Sequence, residues 1–168
     1  MAHEHLTAML DRLVADWSKE RPDLEIEHKE VVYAIYILRS LFTQNADEVL
    51  ARWKLNFNSY GVLATLRRAG TPFELGQTEL TQALGFTPGG MSNLLTRLES
   101  ERWVTRIQST EDKRSVRVRL TASGRRIADE AATAVTASEA RYFATMPDAE
   151  RRRLYRSLRT LIAAFATR

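Results

Sequence analysis

One predicted helix carries the side chains whose types are best suited to hydrogen bonding with another polar molecule. Thr87-Pro88 is a strong helix start, because threonine caps a helix and proline fits its first position. The face opposite Met91, Leu95 and Leu98 is small and polar. Its residues are Thr87, Gly89, Gly90, Ser92, Asn93, Thr96 and Arg97. Asparagine and serine can bond to base edges and arginine to phosphate, so this face indicates contact with DNA.

A charged turn, residues 111–115, follows this helix and lies between two segments of alternating apolar and polar residues. Alternation over 104–107 and 116–120 predicts two half-buried strands, joined as a hairpin with an exposed tip. The tip carries Asp112, Lys113 and Arg114. A basic finger of this kind suits a minor groove. The alternative is that Arg114 only pairs with Asp112 and stiffens the turn.

The elements predicted around these residues form an ordered set. Apolar spacing, breakers and caps predict helices over about 5–20, 27–54, 56–69, 77–84, 88–102, 123–145 and 148–166. Asn56 and Thr121 are the predicted caps of the third and sixth of these helices. A short helix, a Gly85 turn and a second helix, followed by the hairpin, form a winged helix-turn-helix, which binds duplex DNA. The predicted fold class is mostly α with a small β-hairpin.

The predicted organisation has three parts: N-terminal helices over 1–54, a winged lobe over 55–122 and C-terminal helices over 123–168. The second helix is apolar around much of its circumference, which indicates burial on several sides, between lobes or against another subunit. Its apolar residues are Val31, Val32, Ala34, Ile35, Ile37, Leu38, Leu41 and Phe42.

Composition excludes several classes of protein. The 168 residues contain no cysteine, which rules out disulfides, thiolate metal sites and cysteine catalysis. No apolar run approaches the ~20 residues that cross a bilayer. The first residues lack the pattern of a secretory signal. We therefore expect a cytoplasmic protein without a membrane partner.

Charge is unevenly distributed. Residues 1–60 hold 10 acidic and 7 basic side chains, residues 84–120 hold 7 basic and 4 acidic, and residues 121–168 hold 9 basic and 5 acidic. A basic second half suits a polyanion such as DNA. The sequence has no nucleophile–base–acid set, phosphate-binding glycine loop or metal-ligand cluster, so neither an enzyme nor a cofactor is predicted.

Several separated motifs resemble the MarR family of transcriptional regulators. Asp112-Lys113-Arg114, followed by Val118, Leu120-Thr121 and Gly124, is similar to the family's wing signature. The upstream runs 62–66, 79–80 and 97–99 are also similar in type and order. The close likeness covers roughly residues 56–124, and the flanking helices agree in layout.

The resemblance implies a homodimer whose N- and C-terminal helices interlock and whose two winged lobes grip a pseudo-palindromic operator. It implies a recognition helix over Pro88–Glu101 and a wing over Glu111–Ser115, with Asp112 orienting Arg114 toward DNA. Most such proteins are repressors released by a small, often aromatic or phenolic, effector. Many carry arginine where this chain has Asn93, so its base preference is expected to differ.

The segment Trp17–Leu24 resembles the urate-responsive branch of the family. Two ligand positions of that branch hold Gly61 and Leu94 here, so urate sensing is not expected.

Polar and aromatic residues near the junction of the helical region and the winged lobe are candidates for an effector pocket. They are Trp17, Tyr36, Arg39, Trp53, Phe57 and Tyr60. The alternative is that the aromatics only pack in the core. The alternative function is a winged-helix module that contacts proteins without binding DNA.

Overall fold

A computed structural model describes residues 2–108 and 115–166. Their helices are α1 (Ala2–Glu20), α2 (Lys29–Leu50), α3 (Phe57–Arg68), α4 (Gln77–Leu84), α5 (Pro88–Ser100), α6 (Ala122–Phe143) and α7 (Asp148–Ala166). The strands are β1 (Glu74–Gly76), β2 (Val104–Gln108) and β3 (Val116–Leu120). The predicted class, mostly α with a small β-hairpin, is confirmed. None of the described helices is long and apolar enough to span a membrane.

The chain forms two compact units, residues 1–45 and residues 46–168. The first unit contains α1 and most of α2. Helix α1 ends at Glu20, as predicted from the proline at position 22, and Arg21 then forms an ion pair of 2.6 Å with Asp23. Ile26 is buried before α2 begins.

The core of the second unit lies between α3, α4, α5, α6 and the sheet, together with the last turn of α2. Its apolar side chains come from every one of these elements. Those that are almost completely buried include Leu50, Val62, Leu63, Leu66, Leu80, Met91, Leu95, Leu98, Val104 and Val118. An ion pair of 2.7 Å between Arg67 and Asp129 also joins α3 to α6. This core packs α5 and the hairpin strands together in one lobe.

Local capping signals place the helix starts as predicted. The side chains of Asn56, Thr87 and Thr121 each accept a hydrogen bond from the backbone N–H three residues later, at 2.9, 3.1 and 2.9 Å. These bonds satisfy N–H groups that lack partners inside the helix. Gly85 ends α4 in the left-handed region, with φ of 68°.

The sheet has three strands, in the order β1-β3-β2, and both pairings are antiparallel. The predicted hairpin is therefore present as β2 and β3, with Val104 opposite Leu120 and Gln108 opposite Val116. The sequence did not predict β1, because three residues are too few to show an alternating pattern.

The second helix ends earlier than the sequence predicts. The α-helix stops at Leu50 and a 3₁₀ turn, Ala51–Trp53, follows. Lys54 then has a φ of 55°, and the N–H of Leu55 bonds back to the carbonyl of Leu50. The chain thus turns sharply within residues 51–56, where the sequence contains neither glycine nor proline to signal a break.

Candidate nucleic-acid interface

Helices α4 and α5 form the predicted two-helix unit. One side of α5 is anchored in the core by Met91, Leu95 and Leu98, all almost completely buried. Leu94 is partly buried and packs against the same core. The opposite side of the helix faces outward, so the core fixes which residues of α5 can meet another molecule.

The structure places the seven predicted residues of α5 at its N-terminal half and along its outward side. Ser92 is half-buried, and the others are exposed: Thr87, Gly89, Gly90, Asn93, Thr96 and Arg97. The Thr87 hydroxyl caps the helix through the N–H of Gly90. Asn93 is the exposed amide of the set, and its type suits bidentate pairing with adenine.

Arg97 connects α5 to the turn that precedes α3. One terminal nitrogen of its guanidinium donates to the carbonyl oxygen of Lys54 at 3.0 Å. Across the same turn, the Asp47 side chain of α2 accepts from the N–H of Phe57, the first residue of α3, at 2.6 Å. A guanidinium has five N–H donors, so the Lys54 bond leaves donors for the predicted phosphate contact.

Arg106 of β2 binds two side chains of α5. Its guanidinium donates to the Glu99 carboxylate at 2.7 and 3.0 Å and to the Thr96 hydroxyl at 3.1 Å. Its backbone N–H donates to the other Glu99 oxygen at 3.1 Å. These hydrogen bonds from Arg106, through its side chain and its backbone, hold the pKa of Glu99 below its ordinary value of 4.5.

Glu74 of β1 binds two arginines of β3. Both Arg117 and Arg119 donate through Nε to its carboxylate, whose side chain is only 8 % exposed. Burial alone would raise the pKa of Glu74, but the hydrogen bonds and charges of the two arginines outweigh it and lower that pKa below 4.5. The pair of arginines is thereby fixed on one face of the sheet.

The predicted wing residues Asp112, Lys113 and Arg114 lie outside the described residues. The strands on either side are described, and their pairing runs as far as Gln108 and Val116. The role of the tip in binding DNA stays a prediction.

The predicted effector residues fall in both units. In residues 1–45, Trp17, Tyr36 and Arg39 are exposed. In residues 46–168, Trp53 and Tyr60 are half-buried and Phe57 is exposed. Burial raises the pKa of Tyr60, and the negative charge of Glu139 adds to that effect. The function of this set as a pocket stays a prediction.

An open groove of about 440 Å³ lies within the second unit, between the end of α2 and α6. It is lined by Val49, Arg52, Ala134, Ala137, Ser138 and Arg141. The Arg52 guanidinium also lies 3.8 Å from the centre of the Trp53 ring, and the indole N–H donates to Glu130 at 3.1 Å. Two arginines beside small side chains could hold an anion of modest size.

Sequence reasoning missed the roles of Lys54, Glu74, Glu99 and Arg106 at this site. Glu74 and Arg119 are 45 residues apart, so no periodicity links them. Glu99 and Arg106 are closer in sequence, but Glu99 lies in a helix and Arg106 in a strand, so no common repeat relates their positions. Only the folded chain shows these contacts.

Comparison with known proteins identifies sequences that are similar to this chain. Residues 53–115 match the profile of the MarR family. The HTH-type transcriptional regulator PecS of Dickeya dadantii (strain 3937) is 33 % identical over 112 residues, which cover 67 % of this chain and 68 % of PecS. That relative is a regulator, in agreement with the prediction that this chain is not an enzyme.

Solved structures share the fold. AbsC, a MarR family transcriptional regulator from Streptomyces coelicolor, superposes with a TM-score of 0.75 at 20 % identity, over 86 % of this chain and 97 % of AbsC. The S. aureus MepR–DNA complex gives a TM-score of 0.73 at 22 % identity, over 79 % of this chain and 96 % of the MepR chain. At these identities the likeness establishes the architecture.

Proposed function

The chain belongs to the MarR family of transcriptional regulators, and on that premise we propose that it is a ligand-responsive homodimeric repressor of a pseudo-palindromic operator. The observation that carries the proposal is the two-sided character of α5. Its inner side is fixed in the core, and its outer side presents Asn93 and Arg97 at the surface. A helix of this kind can enter a major groove without disturbing its own lobe.

Three polar residues of α5 have proposed roles. Asn93 pairs with a base edge, Ser92 bonds to a base or a phosphate, and Arg97 meets phosphate. Gly89 and Gly90 permit close approach at the helix start. From the wing, Lys113 and Arg114 reach an adjacent minor groove, with Asp112 orienting Arg114.

Exposed apolar side chains support the proposed homodimer. In the first unit, Val31, Tyr36, Leu38 and Leu41 of α2 are 40–64 % exposed. In the second unit, the large apolar side chains that are exposed among the described residues come from α7, apart from Phe57 and Tyr142. Those of α7 are Leu154, Tyr155, Leu158, Leu161, Ile162 and Phe165. Large exposed apolar faces mark surfaces that another protein covers, and in a homodimer the two copies cover each other.

The arginine-flanked groove between α2 and α6 supports the proposed effector response. Arg52 and Arg141 suit a small anionic aromatic molecule, such as a phenolic acid. Such a ligand releases DNA only if it binds the non-DNA conformation better. Allosteric coupling of ~1–3 kcal/mol would relieve repression by several-fold to about a hundred-fold.

The test is an anisotropy titration of the purified protein against labelled DNA from upstream of its own gene, with nonspecific competitor and a scrambled duplex as the matched control. Nanomolar binding to the upstream fragment alone would support the proposal. If that fragment fails, selection from a random duplex pool follows. Failure of the pool to yield a common motif would overturn DNA-specific regulation and favour a protein-interaction module.

A further inference from the structure

Arg106 and Glu99 join the edge strand of the sheet to the outer side of α5. In the order β1-β3-β2, strand β2 has a neighbour on one side only. The N–H of Arg106 donates to Oε1 of Glu99, while the Arg106 guanidinium occupies Oε2. One carboxylate therefore receives both the backbone and the side chain of a single residue, which fixes the distance and the angle between α5 and β2.

The same hydrogen-bond network continues along α5 toward its N-terminal half. Arg106 donates to the Thr96 hydroxyl at 3.1 Å, and that hydroxyl donates to the carbonyl of Ser92 at 3.0 Å. Thr96 thus already accepts one bond and donates another within the protein. The hydrogen of this hydroxyl is used within the helix, and the contact of Thr96 with DNA stays a prediction.

We propose that Glu99 and Arg106 are positioning residues for DNA recognition: together they hold α5 at the angle to the hairpin that lets both elements meet the same duplex. This inference rests on the proposed function as a DNA-binding regulator. On this proposal the Glu99 carboxylate increases the affinity for DNA. Its charge alone would decrease that affinity, because a negative side chain near DNA repels phosphate.

The two explanations therefore predict opposite changes in DNA affinity when the Glu99 carboxylate is removed. The Glu99 and Arg106 side chains are 38 % and 28 % exposed, so the ion pair stabilises the fold only weakly and its loss leaves the protein folded. If the pair positions α5, removing the carboxylate weakens specific binding. If Arg106 instead contacts phosphate directly, removing the carboxylate frees the arginine and strengthens binding.

The experiment uses the full chain and a duplex selected by the wild-type protein from a random pool. Glu99→Gln, Arg106→Gln and the double variant are titrated with this duplex and with a scrambled one, at several salt concentrations. Glu101→Gln is the matched control, because it removes an exposed carboxylate from the end of the same helix. Thermal unfolding of each variant reports whether the fold is retained.

We expect each single variant to bind the selected duplex about tenfold more weakly, a change of the size of one lost positioning bond to a charged group. We expect the double variant to be no weaker than the weaker single variant, because both changes break one interaction. Glu99→Gln should keep the wild-type salt dependence and Glu101→Gln the wild-type affinity or better. Arg106→Lys should also weaken binding, since lysine keeps the charge but lacks the guanidinium fork.

Equal or tighter binding by Glu99→Gln would overturn the positioning role. So would a loss confined to Arg106→Gln with a reduced salt dependence and near-normal binding by Arg106→Lys, which would assign Arg106 to phosphate. A wild-type protein that selects no common motif would instead overturn the proposed function, and the inference with it. The two failures are thereby distinguishable.

Discussion

Gly124 lies so close to the main chain of Trp103 that a β-carbon on Gly124 would fall 1.9 Å from the Trp103 carbonyl oxygen. Other contacts fix the same corner. The Thr121 hydroxyl lies 2.7 Å from the carbonyl oxygen of Arg102, and the Ser123 hydroxyl donates to that oxygen at 2.9 Å. The start of α6 is therefore packed directly on the corner between α5 and β2, at a point with no room for a side chain.

Replacing Gly124 with alanine should destabilise the protein, because the backbone of α6 or of Trp103 must shift to admit the methyl group. Overpacking of this kind costs about 1–3 kcal/mol, and backbone atoms give way less easily than side chains, so we expect about 3 kcal/mol. Urea unfolding followed by circular dichroism measures the change.

Gly89→Ala is the matched control for that measurement. Gly89 also lies in the first turn of a helix, but no heavy atom lies within 4 Å of its β-carbon position. Alanine there should keep or raise stability by up to about 1 kcal/mol. Equal stability of the two variants would contradict the steric account of Gly124.

Asn93→Ala should relax base preference at one position in each half-site while leaving the fold intact. Asn93 is exposed on α5, and a bidentate pair between asparagine and adenine contributes about 1–3 kcal/mol of discrimination. Sequencing of duplexes selected from a random pool would compare the variant with the wild type. An unaltered motif would remove Asn93 from the base-reading set.

Arg114→Ala should weaken DNA binding and lower its salt dependence. The prediction comes from the sequence of the wing, where a charged side chain at the tip can neutralise phosphate. Each lost phosphate contact reduces the slope of log affinity against log salt by about 0.9. A titration at four salt concentrations measures the slope. If both affinity and slope match those of the wild type, the wing tip does not touch DNA.

The sequence predicted the features that are encoded locally. The caps at Asn56, Thr87 and Thr121 depend on residues within one helical turn, so their identities are visible in the chain, and each forms the expected bond. The hairpin strands were visible because each alternates over at least four residues. The core side of α5 followed from helical periodicity.

The contacts that orient the candidate site could not be predicted in this way. Glu74 meets Arg117 and Arg119 because β1 pairs with β3, and β1 is too short to recognise. Arg97 reaches the carbonyl of Lys54, a backbone atom that carries no sequence signal. These contacts join distant parts of the chain, so their geometry depends on tertiary packing rather than on local residue patterns.

Acidification should destabilise the protein as Glu74 and Glu99 become protonated. Both have a folded pKa below the ordinary value of 4.5, so the folded state favours their ionised forms. Their contribution is therefore fully present above pH 4.5 and is lost as the pH falls through the lower folded values. Urea unfolding at pH 7, 5, 4 and 3 measures this loss.

The Glu74→Gln variant tests the source of that pH dependence. It should be about 2 kcal/mol less stable at pH 7, the scale of a hydrogen bond to a charged partner, and should lose less stability than the wild type below pH 4.5. Glu101→Gln, which removes an exposed carboxylate, should follow the wild-type curve. Parallel curves for Glu74→Gln and the wild type would assign the acid sensitivity to other groups.

Ile162→Glu should convert the proposed homodimer to a monomer. Ile162 is 68 % exposed in the single chain and lies on the side of α7 that also carries Tyr155 and Phe165, so a partner copy would bury all three. Burying a lone carboxylate in an apolar interface is strongly unfavourable. Light scattering after size exclusion measures the mass. The matched control is Arg153→Glu, because Arg153 is exposed on the opposite side of α7. This variant should still have the mass of a dimer. A wild-type protein of about 19.2 kDa in solution would rule out the dimer itself.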